Sequence, residues 1–326
     1  MLKKIAVVCG GFSGESVISF RSADFVLNNI NKNKYIAYKV VVLDNDWYCE
    51  IENEKFDIDK NDFSFIYQNK KICFDGVYNI IHGNPGENGR LQAYFEMLEI
   101  PYTSSNSTVS ALTFNKAYCN YAVKALKVNV SESVHLLEGD IYHVDQIINK
   151  VGLPCFVKPN SGGSSIGMSK VKEANKLNQA IEKAFKEDTE VLVESYFAGR
   201  EITCGLMETS GKMIVFPICE IVSKTEFFDY EAKYNEKLVE EIIPAPISEE
   251  ISEVINSTSV YLYNKLNLKG VVRMDYIFNE DNEYIFLEAN TIPGMSAQSI
   301  IPQMARAYGW TNTQLLDAVI DDIWDN

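Results

Sequence analysis

The sequence predicts an α/β protein of three lobes, on the basis of its length and of two patterns. At 326 residues the chain exceeds the usual length of one domain, so two or three domains around one cleft are expected. Its first residues predict a β-α-β unit, with a buried parallel strand over Lys4–Cys9, a helix over Ser16–Ile30 and a second strand over Tyr35–Leu43. Strand-like and helical segments then alternate to the end of the chain, as they do in mixed α/β folds.

The N-terminal lobe is predicted to be a small doubly wound domain that spans residues 1–106. A strand over Gly76–His82, a loop over Gly83–Gly89 and a helix over Leu91–Leu98 continue the pattern of the first unit. The stretch Pro101–Ser110 is rich in Ser and Thr, which is the composition of a domain boundary.

The rest of the chain is predicted to form two further lobes, over residues 107–195 and 196–326. Helical spacing and composition predict helices over Ala111–Leu126, Asp140–Lys150, Lys172–Glu187, Glu249–Leu266 and Gln314–Trp324. Apolar β-rich runs predict strands over Pro154–Lys158, Gly167–Val171, Glu190–Glu194, Glu201–Met207, Lys212–Ile221, Val271–Phe278 and Tyr284–Ala289. The sequence contains no internal repeat or low-complexity segment.

Charge and cysteine content disfavour several classes of partner. The formal net charge of −15 argues against nucleic acid or an anionic membrane, because long-range electrostatics would have the wrong sign. No segment approaches the ~20 apolar residues that a membrane helix needs. The seven cysteines are scattered and form no Cys-x-x-Cys pair, which favours reduced thiols over disulfides or zinc sites. We therefore expect a cytoplasmic enzyme that acts on small molecules.

Two β-rich runs near the C-terminus flank the short polar loop 279–283, which is the pattern of an antiparallel hairpin. Because side chains alternate faces along a strand, folding about the loop centre brings Asp275 opposite Glu288. The same register brings Arg273 near Asn290. Oxygen ligands of this kind suit magnesium, which prefers few carboxylates together with substrate phosphates. The hairpin therefore predicts a magnesium site, in preference to a solvated face with surface ion pairs.

A lysine and a glycine-rich loop follow one of the central strands. Lys158 lies near the end of its predicted strand, and the Gly/Ser-rich loop Asn160–Met168 returns the chain to the next one. Such a loop can fold over phosphates and offer N–H and hydroxyl groups to anionic oxygens. It is not a Walker A loop, since no Gly-Lys-Ser/Thr opens a helix. By itself the pattern also fits a mobile turn, but beside a magnesium hairpin it indicates a nucleotide-phosphate site.

Four further segments carry weaker signals. The strand end Val191–Glu194 and the nearby Glu201 suit an adenine edge and ribose hydroxyls, or simply a surface strand end. The aromatic and charged stretch Phe227–Tyr234 has the length and composition of a lid, or of a packed surface loop. Glu15 precedes a helix after the first strand, where a carboxylate suits an ammonium ligand better than a phosphate. His82 ends a strand where the clefts of α/β sheets open, although a lone histidine is more often structural.

Taken together, these segments resemble the ATP-grasp superfamily and, within it, the D-alanine–D-alanine ligase family. Six motifs carry the resemblance in order along the chain: Gly-Gly-x-Ser-x-Glu, His-Gly-x-x-Gly-Glu, Lys-Pro with Gly-Ser-Ser-x-Gly-Met, Asp-Tyr-Glu-Ala-Lys-Tyr, Arg-x-Asp, and Glu-Ala-Asn-Thr-x-Pro-Gly-Met. The last two are the most specific. The resemblance implies a three-lobed ATP-grasp architecture with a Rossmann-like N-terminal domain, two Mg²⁺ ions with Mn²⁺ as an alternative, and a homodimer.

The resemblance also implies roles for individual residues. ATP would be held by Lys116, Lys158, Ser164, Ser165, Glu194, Phe197, Glu201 and Lys233. The amino-acid substrates would contact Glu15, His82, Lys233, Tyr234, Arg273, Ser299 and Ile300. The metal ions would be held by Asp275, Glu288 and Asn290. Catalysis would depend on Glu15, Ser164, Tyr234, Arg273 and the backbone N–H of Gly294.

The activity that the resemblance implies is the ATP-dependent joining of two D-alanine molecules through D-alanyl phosphate, which supplies peptidoglycan precursors. A ligase that takes D-lactate or D-serine in the second position is the nearest alternative, although Lys233 and Tyr234 favour an amine nucleophile. Another ATP-grasp carboxylate–amine ligase and a non-catalytic nucleotide-binding protein are more distant alternatives. The presence of Lys158 and Arg273 with all three metal ligands argues against a decayed site. A dinucleotide oxidoreductase is disfavoured, because Gly-x-Gly-x-x-Gly is missing.

Overall fold

The computed structural model describes residues 2–163, 166–223 and 239–324, in which four β-sheets are flanked by helices. The N-terminal sheet contains β1 (Lys3–Gly10), β2 (Tyr35–Val42), β3 (Trp47–Ile51), β4 (Glu54–Asp57) and β7 (Gly76–Asn79). A separate two-stranded sheet contains β5 (Phe65–Tyr67) and β6 (Lys70–Ile72), and the helices of this lobe are α1 (Ser16–Asn29) and α2 (Arg90–Met97). The main sheet has the order β4-β3-β2-β1-β7, and β1 pairs in parallel with both β2 and β7.

The predicted first β-α-β unit is confirmed, but the next predicted strand is too long. That strand was expected over Gly76–His82, and it ends at Asn79. The Asn79 side chain accepts a hydrogen bond from the Ile81 N–H, at 3.2 Å, and so removes that donor from the ladder. Strands β3 to β6 were not predicted, because each has only three to five residues, which is too few for a clear apolar alternation.

The central sheet contains only antiparallel strands, β8 (Ser133–Leu137), β9 (Cys155–Pro159), β10 (Ser169–Val171) and β11 (Glu190–Ser195). Their order is β10-β9-β11-β8. Two helices cover this sheet, α5 (Val144–Val151) and α6 (Leu177–Ala184), and a 3₁₀ turn over Ala174–Lys176 precedes the second. Helix α5 begins four residues later than predicted, and β8 was not predicted.

The helix predicted over Ala111–Leu126 is wrong in detail, since it is two helices, α3 (Ser107–Phe114) and α4 (Lys116–Ala125). The break is at Asn115, which is extended at φ −84° and ψ 103°. Its side chain accepts a hydrogen bond from the Tyr118 N–H and so caps α4. The cap decides where Lys116 stands, because Lys116 is the first residue of the new helix.

The C-terminal sheet has the order β15-β14-β12-β16-β17, and β13 pairs with β12. Its strands are β12 (Arg200–Thr209), β13 (Lys212–Val215), β14 (Cys219–Ser223), β15 (Val239–Ile242), β16 (Val272–Phe278) and β17 (Tyr284–Asn290). The helices are α7 (Glu249–Lys265), α8 (Ile300–Tyr308) and α9 (Asn312–Asp321), and a 3₁₀ turn over Asp322–Trp324 follows. The single strand predicted over Lys212–Ile221 is two strands separated at Pro217, and α8 was not predicted.

One apolar core joins the outer lobes to each other. It packs α1 of the N-terminal lobe, through Phe25 and Val26, against α9 of the C-terminal lobe, through Leu315 and Leu316. All seven cysteines are free thiols, six of them buried and Cys73 exposed. Within the described ranges, no helix combines the length and the apolar character needed to cross a membrane.

Candidate active site

A cavity of about 710 Å³ opens where the N-terminal, central and C-terminal elements meet. Its wall contains eleven of the residues singled out in the sequence: Glu15, His82, Lys116, Glu201, Arg273, Asp275, Glu288, Asn290, Gly294, Ser299 and Ile300. Three other described candidates stand outside this wall: Lys158, Glu194 and Phe197. The remaining candidates lie outside the described residues: Ser164, Ser165, Lys233 and Tyr234, with the predicted lid Phe227–Tyr234.

The hairpin of β16 and β17 forms one side of the cavity in the predicted register. Arg273 lies opposite Asn290, and Asp275 lies opposite Glu288. A register shift directly after Asp275 breaks the regular ladder at this point. Such bulges re-aim side chains beside binding sites. Two carboxylates, an amide and a guanidinium therefore share one face of the hairpin.

Arg273 and Asp275 form a two-point ion pair within the strand. The Arg273 Nε donates to Asp275 Oδ1 at 2.9 Å, and a terminal nitrogen donates to Oδ2 at 2.8 Å. Thr203, opposite Asp275 on β12, donates to Oδ1 at 2.6 Å. Burial acts to lower the pKa of the guanidinium, but the nearby carboxylates, chiefly Asp275, outweigh it and raise that pKa. Arg273 is thus a permanent positive charge held at the cavity wall.

Three oxygen donors on this face suit a divalent cation. Asn290 turns its NH₂ group toward Asp275, at 3.2 Å, so its amide oxygen is the atom that can face a cation. Glu288 is about a third exposed, with 30% of its side chain accessible. Two carboxylates and an amide oxygen are the sparse, hard donor set with which magnesium is held when substrate phosphates complete its coordination. No group of three or more His, Cys, Asp or Glu side chains suited to a metal occurs in residues 2–163, 166–223 and 239–324.

Glu15 faces the cavity from the start of α1, between two glycines. A Cβ atom on Gly163 would lie 2.6 Å from Glu15 Oε1, and one on Gly83 would lie 3.0 Å from Oε2. Gly83 also has a φ of +69°, which favours glycine. Because neither glycine has a side chain, backbone from the N-terminal loop and from the glycine-rich loop both approach this carboxylate. The arrangement presents a negative charge at the meeting point of two lobes.

His82 and Glu87 line the cavity with strongly shifted pKa values. Burial lowers the pKa of His82 to about 4, so the imidazole is neutral near pH 7. Its Nδ1 lies 3.0 Å from the carbonyl oxygen of Ile292. Burial, with the negative charge of Glu15 as a second cause, raises the pKa of Glu87 to about 8. The Gly83 N–H donates to Glu87 at 2.6 Å, which anchors the loop between them.

Lys116 reaches the cavity from the first turn of α4. Its Nζ donates to the carbonyl oxygen of Gly162 at 2.6 Å and lies 3.9 Å from Glu288 Oε2. The side chain is nearly buried, with 12% of it accessible. A lysine ammonium is thus placed between the glycine-rich loop and the acidic hairpin. This is where a positive charge would counter the charge of a phosphate group.

Lys158 and Glu194 form a second ion pair, next to each other on β9 and β11. Lys158 Nζ lies 2.5 Å from Glu194 Oε2, and both side chains are largely buried. Asn120 of α4 donates to the other oxygen of Glu194 at 3.0 Å. Phe197 follows the end of β11 and is half-buried. Lys158 and Glu194 thus form a largely buried ion pair on the central sheet, outside the wall of the main cavity.

Comparison with known proteins identifies the family. The family model described as D-ala D-ala ligase N-terminus matches residues 4–105, and that described as D-ala D-ala ligase C-terminus matches residues 123–321. The chain belongs to the D-alanine–D-alanine ligase family. It is 46% identical to the D-alanine–D-alanine ligase of Parabacteroides distasonis, over 99% of this chain and 98% of that protein.

Solved structures have the same fold as this ligase. The VanG D-Ala:D-Ser ligase from Enterococcus faecalis has a TM-score of 0.86 and 31% identity, covering 99% of this chain and 100% of that one. The D-alanyl-alanine synthetase A from Vibrio cholerae has a TM-score of 0.89 and 26% identity, covering 99% of this chain and 98% of that one. The ATP-grasp architecture predicted from the motifs is therefore confirmed.

Several polar residues of the ligase site were not singled out by sequence reasoning. Glu87 belongs to a quoted motif, but nothing in its local sequence indicates a raised pKa. Thr203 and Asn120 support Asp275 and Glu194, and only the pairing of distant strands and helices brings them there. Ser22 lies on the buried side of α1 and is unremarkable in sequence. A serine in a helix gives no signal of its own in the sequence. One of its hydrogen-bond partners, Met295, lies more than 250 residues away along the chain.

Proposed function

We propose that this chain joins two D-alanine molecules at the expense of ATP, releasing ADP and phosphate, to supply the dipeptide for peptidoglycan precursors. The observation that carries the proposal is the single cavity in which Arg273, Asp275 and Glu288 meet Glu15 and Lys116. That cavity combines an anion-stabilising cation, a hard oxygen donor set and a carboxylate suited to an ammonium group. The donor set and the carboxylate serve the first step of the reaction, and the cation serves the second.

The first step makes a poor electrophile reactive. Transfer of the terminal phosphoryl group of ATP to the carboxylate of the first D-alanine forms D-alanyl phosphate and ADP. In this proposal the ammonium group of the first D-alanine pairs with Glu15, and His82 lies beside it. Lys116 and Lys158 contact the phosphates, and Glu194, Phe197 and Glu201 frame the nucleoside; the same proposal gives phosphate contacts to Ser164, Ser165 and Lys233.

The metal ligands of the proposal are Asp275, Glu288 and Asn290, holding two Mg²⁺ ions with Mn²⁺ as an alternative. When bound, these ions would offset the negative charge that gathers on the transferring phosphoryl group. The donor set supports the assignment, since it contains only oxygen and includes few carboxylates. Arg273 holds the orientation of Asp275 by its two hydrogen bonds.

The second step forms the peptide bond. The amine of the second D-alanine attacks the acyl carbon, the C–N bond forms, and the bond to phosphate breaks. Arg273 and the backbone N–H of Gly294 would stabilise the oxyanion, and one such donor contributes roughly 3–4 kcal/mol in other enzymes. Ser299 and Ile300 at the start of α8 would receive the second D-alanine together with Lys233. Tyr234 with Ser164 would guide the proton away from the amine.

A second candidate differs only in the second substrate. The observation that favours it is the 31% identity to a D-Ala:D-Ser ligase over nearly the whole chain. D-Serine, like D-alanine, attacks through an amine, so the proposed chemistry would be the same. D-Lactate would attack through a hydroxyl group, and Lys233 with Tyr234 in the sequence favours an amine.

The proposal extends to the organisation of the protein. The lobes are assigned to residues 1–106, 107–195 and 196–326, and carry the first D-alanine site, the glycine-rich loop and the metal hairpin respectively. The ligase is proposed to act as a homodimer in the cytoplasm. Seven free thiols support a reducing compartment.

The test is release of ADP and phosphate from ATP and Mg²⁺ in the presence of amino acids, with products identified by mass. We expect release with D-alanine alone, D-alanyl-D-alanine as the product, and none with L-alanine. Parallel reactions contain D-alanine with an excess of D-serine or of D-lactate. Dominance of a mixed product would assign the second candidate, and absence of any product from D-alanine would refute the proposal.

A further inference from the structure

The loop that carries Gly294 is attached to the N-terminal lobe at two points. Its residues Ile292 to Met295 read Ile-Pro-Gly-Met, and Thr291 alone separates them from β17. The carbonyl oxygen of Ile292 lies 3.0 Å from His82 Nδ1. The N–H of Met295 donates to Ser22 Oγ at 3.2 Å. The peptide bonds on either side of the Pro293–Gly294 bond are therefore both held by the opposite lobe.

The direction of every hydrogen bond in this arrangement follows from simple chemistry. A carbonyl oxygen only accepts, so the proton of a neutral His82 must be on Nδ1. Nε2 is then an acceptor, and it lies 3.5 Å from Ser22 Oγ. Ser22 accepts from the Met295 N–H through its oxygen, which leaves its own proton to point to Nε2. The long Ser22–His82 contact is the weakest of the three.

Burial makes it costly to lose any of these hydrogen bonds. Ser22 is fully buried and His82 is 7% exposed. A buried hydroxyl or amide without a partner costs roughly 1–3 kcal/mol, so each group favours the loop position that satisfies it. The low pKa of His82, which burial causes, keeps Nε2 unprotonated and able to accept across the ordinary pH range. Ser22 does not belong to the cavity wall, so it acts on the site through the two groups that it contacts, the loop and His82.

We propose that Ser22 is a positioning residue, which together with His82 holds the Ile292–Met295 loop so that the Gly294 N–H stands where the oxyanion forms. The inference rests on the proposed function, because it takes the Gly294 N–H as an oxyanion donor. It means that a residue on the buried face of α1 positions a catalytic group in addition to packing in the core. It also couples the lobe that holds the first D-alanine to the lobe that stabilises the transition state.

Helix α1 offers a matched control for Ser22. Ser19 is also fully buried and lies one turn earlier. Its Oγ accepts from the Gly10 N–H at 3.0 Å and donates to the Ile80 carbonyl at 2.7 Å. Both partners belong to the N-terminal lobe. Ser19→Ala therefore removes a buried serine hydroxyl group, as Ser22→Ala does, but leaves the hydrogen bonds to the Gly294 loop in place.

The first test compares the kinetics of Ser22→Ala and Ser19→Ala. A misplaced catalytic group costs up to about 100-fold, so we expect Ser22→Ala to lower kcat roughly 10- to 100-fold. KM for ATP should stay within about twofold, since His82 and Met295, with which Ser22 forms hydrogen bonds, are not among the residues proposed to hold ATP. Ser19→Ala should keep kcat within about threefold of the wild type. Equal kcat in the two variants would overturn the inference while leaving the proposed function intact.

The second test does not depend on activity. Hydrogen exchange of the Met295 amide should accelerate at least about tenfold in Ser22→Ala and remain unchanged in Ser19→Ala. Nitrogen-15 spectra of the wild-type imidazole should show His82 protonated at Nδ1. Unchanged Met295 exchange, or a proton on Nε2, would refute the attachment. A wild type that makes no dipeptide would refute the proposed function itself, and with it the catalytic purpose of Ser22.

A histidine series covers the case in which Ser22→Ala fails to fold. His82→Asn keeps an N–H donor near the position of Nδ1, whereas His82→Ala removes both ring contacts. We expect kcat to fall in the order wild type, His82→Asn, His82→Ala. An equal loss in the two variants would show that the Ile292 contact does not position the loop.

Discussion

The core of the central sheet differs from the core that joins the outer lobes. The central core is assembled only from side chains between Val134 and Val193, contributed by β8 to β11, α5 and α6. The outer core mixes residues from both ends of the chain, such as Val7 of β1 with Leu315 of α9. We call residues 133–195, a part of the proposed 107–195 lobe, the central lobe, and the other described residues the outer frame. The central lobe builds its apolar core from one continuous segment, whereas the outer core of the frame forms only when the two ends of the chain pack together.

Polar contacts connect the central lobe to the frame. Helix α4 packs on the C-terminal sheet through Cys119 and Val123, so it belongs to the frame. Across the boundary, Asn160 accepts from the Ala117 N–H at 2.8 Å, and Asn120 donates to Glu194 at 3.0 Å. Contacts of this kind can be exchanged with water without exposing apolar surface.

Because the frame is packed by apolar contacts and the lobe is joined to it by polar ones, the two halves of the candidate site differ in how firmly they are held. The metal hairpin, Glu15 and the Gly294 loop all belong to the frame, whose parts are locked by apolar packing. Lys158 and the glycine-rich loop belong to the lobe, which is joined by polar contacts. We expect the frame to define the reacting geometry and the lobe to close over the nucleotide as a rigid body.

The largest effect is expected on the frame, from Glu288→Gln. Removing one carboxylate of the proposed metal site should lower turnover by roughly 1,000-fold or more, because the charge on the transferring phosphoryl group would no longer be offset. The melting temperature should change little, since the side chain is partly exposed. Turnover and thermal unfolding measured on the same samples test this. Glu283→Gln, an exposed site on the same hairpin, is the control, and near-normal turnover of Glu288→Gln would remove the metal site.

The next effect is expected on the lobe, from Lys158→Met. Loss of the proposed charged contact to phosphate should raise KM for ATP roughly 10- to 100-fold. KM for D-alanine should stay within about twofold, because the amino-acid groups belong to the frame. Initial rates measured while ATP and D-alanine are varied in turn give the two KM values. Lys176→Met, an exposed lysine of the same lobe, should match the wild type, and a parallel rise in both KM values would contradict the division.

A pair of core substitutions tests the division by stability. Ile181 of α6 and Leu315 of α9 are both fully buried, in the central and outer cores respectively. Truncation to alanine should cost about 2–5 kcal/mol in each case. Calorimetry should show an early, separate transition for Ile181→Ala and a shift of the main transition for Leu315→Ala. A single cooperative transition shifted equally in both variants would mean that lobe and frame unfold as one unit.

The smallest effect is expected from Glu87→Gln and depends on pH. The pKa of Glu87 is raised from 4.5 to about 8, so between these values the folded state binds a proton that the unfolded state does not. Its contribution to stability is therefore favourable at low pH and is lost as pH rises toward 8. Glu87→Gln should match the wild type at pH 5 and melt at a higher temperature at pH 8.5. If Glu87→Gln and the wild type melted at the same temperature at pH 5 and again at pH 8.5, the pKa of the Glu87 carboxyl would not be raised.

Local sequence was sufficient for the parts of the site that depend on one strand or one hairpin. Alternation along β16 and β17 predicted the pairing of Asp275 with Glu288, because the turn that joins them is short and its register is limited. The strand before Gly10 and the helix after Glu15 were predicted for the same reason. Each depends on a period of two or of 3.6 within a few residues.

Packing across the chain decided what local pattern could not. The break at Asn115 gives no apolar signal, yet it sets where Lys116 begins its helix. The short strands β3 to β6 became visible only through strand pairing, of β3 with β2, of β4 with β3 and of β5 with β6. Helix α8 follows the Gly294 loop, and its buried residues pack in the outer core.

The sequence by itself determined the family, the fold class and eleven of the residues that line the cavity, since motif chemistry and short-range periodicity are local properties. Tertiary structure alone decided that Ser22 and His82 hold the Gly294 loop and that Thr203 supports Asp275. It also decided that Glu87 lies beside Glu15 with a raised pKa. The physical reason is that burial, pKa and hydrogen-bond partners are set by which distant segments exclude water together.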